Sequence, residues 1–144
     1  MRYVILVSHG LFAQGIHDAV KMLSGNESDE IRSIGLLRDM GADEFAAEFR
    51  KILPELGPDD EIIMFADIVG GSPLSTAANV IAEEGLLGKT LMIGGMNLPL
   101  VLTGVLSKDD MTFDEIREEI ISDAQAGVKE FSVAVSDESA DDDI

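Results

Sequence analysis

The chain has 144 residues, 46% of them apolar and none of them cysteine. That is enough for one ordinary domain with a single core, and it excludes disulfides, thiolate nucleophiles and cysteine-bound zinc. A formal net charge of −18 argues against nucleic acid or an anionic membrane surface as partner, since both repel it, and makes a basic protein face the natural counterpart.

The opening MRYVILVSHG has too short an apolar stretch for a secretory signal. No run elsewhere nears the roughly 20 apolar residues of a membrane span. The expected location is the cytoplasm. RYVILVS at Arg2 to Ser8 is an unalternating apolar run, the pattern of a strand covered on both faces, and it stops at His9-Gly10. Phe12 to Leu23 carries Ile16, Val20 and Leu23 at helical spacing, and Gly25 closes that helix. IRSIGLL at Ile31 to Leu37 is a weaker strand, with a turn at Asp39 to Gly41. Ala42 to Leu53 is a helix carrying Phe45, Phe49 and Ile52 on one side and ending at Pro54. EIIMFA at Glu61 to Ala66 is a strongly apolar strand stopped by Asp67.

Ile68-Val69-Gly70-Gly71-Ser72-Pro73 follows, with Ser72 expected as helix N-cap and Pro73 at the first helical position. The helix should run through Leu74 to Glu84. KTLMIG at Lys89 to Gly94 is another buried strand. Leu98 to Leu106 and Thr112 to Ala126 read as helices, the second with Thr112 and Glu115 as a capping box. FSVAV at Phe131 to Val135 could form a last strand. Residues 1–136 read as one domain, and the acidic tail at 137–144 reads as disordered.

Alternating strands and helices imply an α/β fold, a mainly parallel sheet with helices on both faces. In such sheets sites form beyond the carboxyl ends of strands, where strand order reverses. In the order 2-1-3-4, the ends of strands one and three meet there, placing His9 opposite Asp67. A carboxylate on one ring nitrogen fixes an imidazole's tautomer and leaves the other nitrogen outward. Gly70, Gly71 and Ser72, at the start of a helix, would offer N–H groups and a hydroxyl to an anion. These parts suit a phosphoryl group carried on His9. Taken singly, each has a plainer reading: a structural or exposed histidine, a turn aspartate, a tight strand-to-helix turn. Their convergence on one topological position favours the chemical reading. His17 lies inside the first helix, away from the strand ends, and reads as a packing or surface residue. The scarcity of histidine and lack of cysteine speak against a metal site.

With VILVSHG (Val4 to Gly10), FADIVGGSPLSTAA (Phe65 to Ala78) and GGMNLPL (Gly94 to Leu100), the chain resembles the EIIA domain of the mannose family of the bacterial phosphoenolpyruvate-dependent sugar phosphotransferase system. The resemblance runs from Tyr3 to about Val135. It implies a three-layer α/β sandwich and a phosphotransferase that needs neither metal nor cofactor. His9 would take phosphate on Nε2 from phospho-HPr and pass it to an EIIB component, which serves a membrane sugar permease. Asp67 matches the aspartate on the other ring nitrogen, and Ser72 the serine near the phosphoryl group. Gly70 and Gly71 would supply backbone. The resemblance further implies a homodimer in which the last strand, antiparallel to the rest, crosses to the partner's sheet. With no Ala/Pro-rich linker, EIIB is expected as a separate protein. Leu11 and Phe12, adjacent to His9, are candidates for an apolar docking surface. Three alternatives stand beside this reading: a regulatory phosphoacceptor module, a phosphotransfer subunit for dihydroxyacetone kinase, and a flavodoxin-like small-molecule-binding domain.

Overall fold

The computed structural model describes residues 1–134. In chain order the elements are β1 (Arg2–His9), α1 (Phe12–Ser24), β2 (Ile31–Leu36), α2 (Ala42–Ile52), β3 (Glu61–Ala66), α3 (Ser72–Glu83), a one-turn 3₁₀ segment (Leu87–Lys89), β4 (Thr90–Ile93), α4 (Leu98–Ser107) and α5 (Phe113–Ala126). The four strands form one parallel sheet in the order β2-β1-β3-β4.

Alternation along β1 shows why its sequence is an unbroken apolar run. Val4 and Leu6 face a core shared with α1, α4 and α5. Ile5 and Val7 face a second core built on Phe45 and Phe49 of α2 and Ala77, Val80 and Ile81 of α3. All four strand residues are fully buried, and a strand with two dry faces has no position for a polar side chain. β3 repeats the pattern, with Ile63 and Phe65 on the first face and Ile62 and Met64 on the second.

Helix ends obey their local chemistry. Gly25 ends α1 in the left-handed conformation, its N–H donating to the Lys21 carbonyl. α5 opens with the full capping box: Thr112 Oγ1 accepts from the Glu115 N–H, and the Glu115 carboxylate accepts from the Thr112 N–H.

Two expectations need correction. The N-cap of α3 is Gly71, not Ser72; Ser72 is the first helical residue, Pro73 the second, and no side chain caps this end. A residue with extended backbone that precedes the first helical turn is the cap whatever its side chain, and Gly71 has that backbone. Residues 131–134 of the expected last strand form no strand, antiparallel or otherwise, and Phe131 and Val133 are exposed. A strand exists only against a partner edge, and among the described residues none pairs with 131–134. Val135 and the acidic tail at 137–144 lie outside the described residues. No helix among the described residues is long and apolar enough to cross a membrane.

Candidate functional site

The chain leaves β1 for β2 in one direction and β3 for β4 in the other. Strand order therefore reverses between β1 and β3, and a crevice opens beyond their carboxyl ends. His9 is the last residue of β1 and Asp67 the first after β3. The Asp67 N–H donates to the Val7 carbonyl at 3.3 Å, which extends the β1–β3 ladder to the edge of the site.

Asp67 holds His9 twice. Its Oδ2 accepts from the His9 backbone N–H at 2.9 Å and lies 2.8 Å from Nδ1. Its Oδ1 accepts from the Ile68 N–H at 2.9 Å. Partial burial raises the Asp67 pKa, but the hydrogen bonds from His9 and Ile68 outweigh it and hold the carboxyl below its ordinary value. An ionised carboxylate can only accept, so Nδ1 carries a proton, and in the neutral ring the lone pair is on Nε2. The His9 side chain is 49% exposed, against 16% for Asp67, and Nε2 has no hydrogen-bond partner among the described residues. The geometry is a basic nitrogen open to solvent on a ring whose other edge is fixed.

The β3–α3 loop closes one side of the ring. Gly70 has φ +90°, a conformation that side-chain-bearing residues rarely adopt, and it turns the loop toward His9. Gly71 backs onto the imidazole: a Cβ there would stand 2.8 Å from His9 Cε1. The first turn of α3 is thereby brought against the ring with its N–H groups uncapped. Ser72 is exposed at the head of α3, its hydroxyl unengaged among the described residues. So His9 and Asp67 are hydrogen-bonded, Gly71 lies against the His9 ring, and Gly70 and Ser72 flank Gly71. His17 lies apart in α1, its Nδ1 2.7 Å from the Ser33 hydroxyl.

Two further groups had no place in the sequence reading. Ser8 is fully buried, and its Oγ accepts from the Ala13 N–H at 2.7 Å. That bond satisfies one free N–H of the first turn of α1 and ties the turn after His9 to the end of β1. The other group is the end of β2. His9 and Gly10 line an open hollow of about 440 Å³ with Leu36, Leu37, Arg38 and Met40. The available signal was topological: in the order 2-1-3-4, β1 has β2 as its other neighbour, so that strand's end also borders His9. Leu11, Phe12, Leu37, Ile68 and Val69, in the segments that follow β1, β2 and β3, are exposed apolar side chains.

Comparison with known proteins fits this arrangement. A family model described as "PTS system fructose IIA component" matches residues 3–121. The chain belongs to this EIIA family. It is 25% identical over 113 residues to the PTS system fructose-specific EIIA component of Bacillus subtilis, covering 78% of this chain and 75% of that protein. Among solved structures, the PTS IIA protein associated with the fucose utilization operon of Streptococcus pneumoniae superposes with a TM-score of 0.75 at 29% identity, covering 90% of this chain and 92% of that one. The mannose/sorbose-specific IIA subunit of Enterococcus faecalis shares the fold, with a TM-score of 0.76 at 21% identity over 92% of this chain and 96% of that one. This EIIA protein is thus a phosphotransferase-system component of the mannose and fructose type, a family of phosphoryl carriers in sugar uptake.

Proposed function

We propose that His9 is the phosphoryl acceptor of this EIIA protein. It would take the group from phospho-HPr and deliver it to an EIIB component. The observation that carries the reading is the Nδ1–Asp67 contact of 2.8 Å on a ring whose Nε2 is bare. The Nε2 lone pair attacks phosphorus in line, a new N–P bond forms, and the N–P bond to the donor imidazole breaks with its electron pair. The acceptor ring becomes positive as its bond forms, and the Asp67 carboxylate across Nδ1 stabilises that charge. The uncapped start of α3, with Gly70, Gly71 and the Ser72 hydroxyl, would receive the phosphoryl oxygens. Transfer to EIIB runs the same steps in reverse. Donor and acceptor atoms are both imidazole nitrogens, so the exchange is close to balanced.

Docking fits the same picture. Exposed Leu11, Phe12, Ile68 and Val69, in the segments after β1 and β3, would give a partner apolar contacts, and the net charge of −18 favours partners with a basic face. We also assign the segment from Phe131 to a dimer contact. Phe131 and Val133 alternate and are exposed, and β4 is a sheet edge with one side unpaired. A strand laid by one protomer along the partner's sheet would satisfy both.

The test is labelling with phosphoenolpyruvate, Enzyme I and HPr. Both histidines lie between Arg2 and Lys21, on one tryptic peptide, so variants rather than peptide mapping must decide. His9→Ala should take no label and His17→Ala should take it fully. Label on the protein lacking His9 would refute the reading. Passage of the label to an EIIB separates a transport role from a purely regulatory one.

A further inference from the structure

We infer that Arg38, at the end of β2, is a phosphoryl-binding residue that grips the group carried on His9 from the side opposite Asp67. The inference rests on the reading of His9 as the phosphoryl carrier.

Most basic side chains of this protein are already committed. Arg2 bonds Glu61 and two carbonyls, Arg32 the Ile52 carbonyl, Lys89 two carbonyls, and Lys108 the Glu30 and Asp109 carboxylates. Arg38 is exposed and has no hydrogen-bond or ion-pair partner among the described residues. It lines the hollow of about 440 Å³ in which His9 stands. Against a net charge of −18, a free guanidinium lining the same hollow as the reactive ring is a feature that calls for a role.

Its position is fixed by backbone, not by a loose loop. The Gly10 N–H donates to the Leu36 carbonyl at 2.8 Å, tying the turn after His9 to the end of β2. Gly35 is pressed so closely beneath that turn that a Cβ would fall 1.7 Å from the Gly10 carbonyl oxygen. The Met40 N–H then closes a turn onto the Leu37 carbonyl at 3.0 Å, with Arg38 inside it. Asp67 and the start of α3 occupy the β3 side of the ring, and Arg38 stands on the β2 side.

The chemistry matches. A phosphoryl group on Nε2 brings two negative charges or nearly so, and a guanidinium fork can donate to two of its oxygens at once. The helix start supplies partial charges only. Arg38 supplies the one full positive charge lining the hollow with His9. Since Arg38 is exposed, the gain should be that of a solvent-screened ion pair, about two- to fivefold in equilibrium.

The experiment compares wild type, Arg38→Gln and Arg38→Lys after labelling from phospho-HPr at fixed total phosphate. One readout is the share of protein phosphorylated at equilibrium. The other is the pH midpoint of the phosphohistidine ³¹P resonance, which a merely structural residue would not move. Arg38→Gln should lower the transfer equilibrium constant calculated from that share about two- to fivefold and raise the midpoint, because a nearby cation favours the dianion. Arg38→Lys should keep most of both effects. If Arg38→Gln matches wild type in share and midpoint, Arg38 does not touch the phosphoryl group, while His9 stands as acceptor. If wild type itself takes no label, the reading of His9 fails and this assignment falls with it.

Discussion

His9 and His17 stand eight residues apart in one chain, and each has a polar atom within hydrogen-bond distance of Nδ1. Their surroundings differ in ways that decide chemistry. His9 faces a carboxylate at the mouth of a strand, with half its surface open. His17 faces the Ser33 hydroxyl from inside α1, half-buried against β2. A carboxylate only accepts, so it sets one tautomer and stabilises a cationic ring; a hydroxyl can donate or accept and does neither reliably. Burial and the nearby Lys21 ammonium lower the His17 pKa, with Asp18 opposing. The same imidazole is prepared for bond formation at one site and for packing at the other.

The largest expected effect removes what separates the two. Asp67→Asn or Asp67→Ala should leave the fold intact and slow transfer from phospho-HPr by about 10², the scale of losing one aligned electrostatic partner in a transition state. Stopped transfer assays with a folded-state check by circular dichroism measure this. Unchanged rates would place the orienting carboxylate elsewhere. The substitution also has a stability signature. The folded pKa of Asp67 is lowered, so its contribution is present above the ordinary carboxylate pKa and is lost as pH falls through the folded value. Asp67→Asn should therefore lose less stability than wild type on acidification.

Next in size is Gly71→Ala. Its Cβ would meet His9 Cε1 at 2.8 Å, so the ring or the loop must shift. Misplacement of a reacting group by even about 1 Å can cost up to about 10² in rate. We expect slower transfer with near-normal thermal stability, because the clash lies at an exposed ring rather than in either core. A rate equal to wild type would show that the loop yields freely and does not position the imidazole.

Much of this was legible in the sequence because the two cores are so dry. Val4 to Val7 and Ile62 to Ala66 read as doubly covered strands, and once four strands alternate with helices the reversal of strand order points to His9 and Asp67. What stayed hidden has a common cause. Local signals place elements but not their lateral neighbours. The expected order 2-1-3-4 already sets β2 beside β1, but does not show that Arg38, just past the end of β2, lines the hollow with His9. Gly71 and Ser72 exchange roles by a single position, a difference set by backbone angles that Ser72's capping preference alone does not reveal. The residues from Phe131 have the composition of a strand, but composition does not say which edge they pair with, and residues 131–134 pair with none in their own chain.

That last point gives the third prediction. Truncation after Glu130 should weaken self-association, read by light scattering across a dilution series, and leave the monomer's thermal unfolding unchanged. The second half follows from the structure, since residues 131–134 take no part in the sheet of their own chain. A truncated protein that still associates at the wild-type concentration would exclude strand exchange from this segment.

The smallest effect returns to His17. Its pKa is lower in the folded chain than its ordinary 6.5, so the unfolded chain binds the proton more tightly. Protonation then favours unfolding. Stability from this residue is complete above about pH 6.5 and falls as pH drops below it, until the folded His17 titrates as well. His17→Gln removes that titration while keeping a polar group near Ser33. The denaturant midpoint of wild type should decline between neutrality and the onset of carboxylate titration more steeply than that of the variant. Every other titrating group is common to both proteins and cancels in the difference. Parallel curves would mean that His17 is as well solvated folded as unfolded, and the contrast with His9 would then rest on the carboxylate alone.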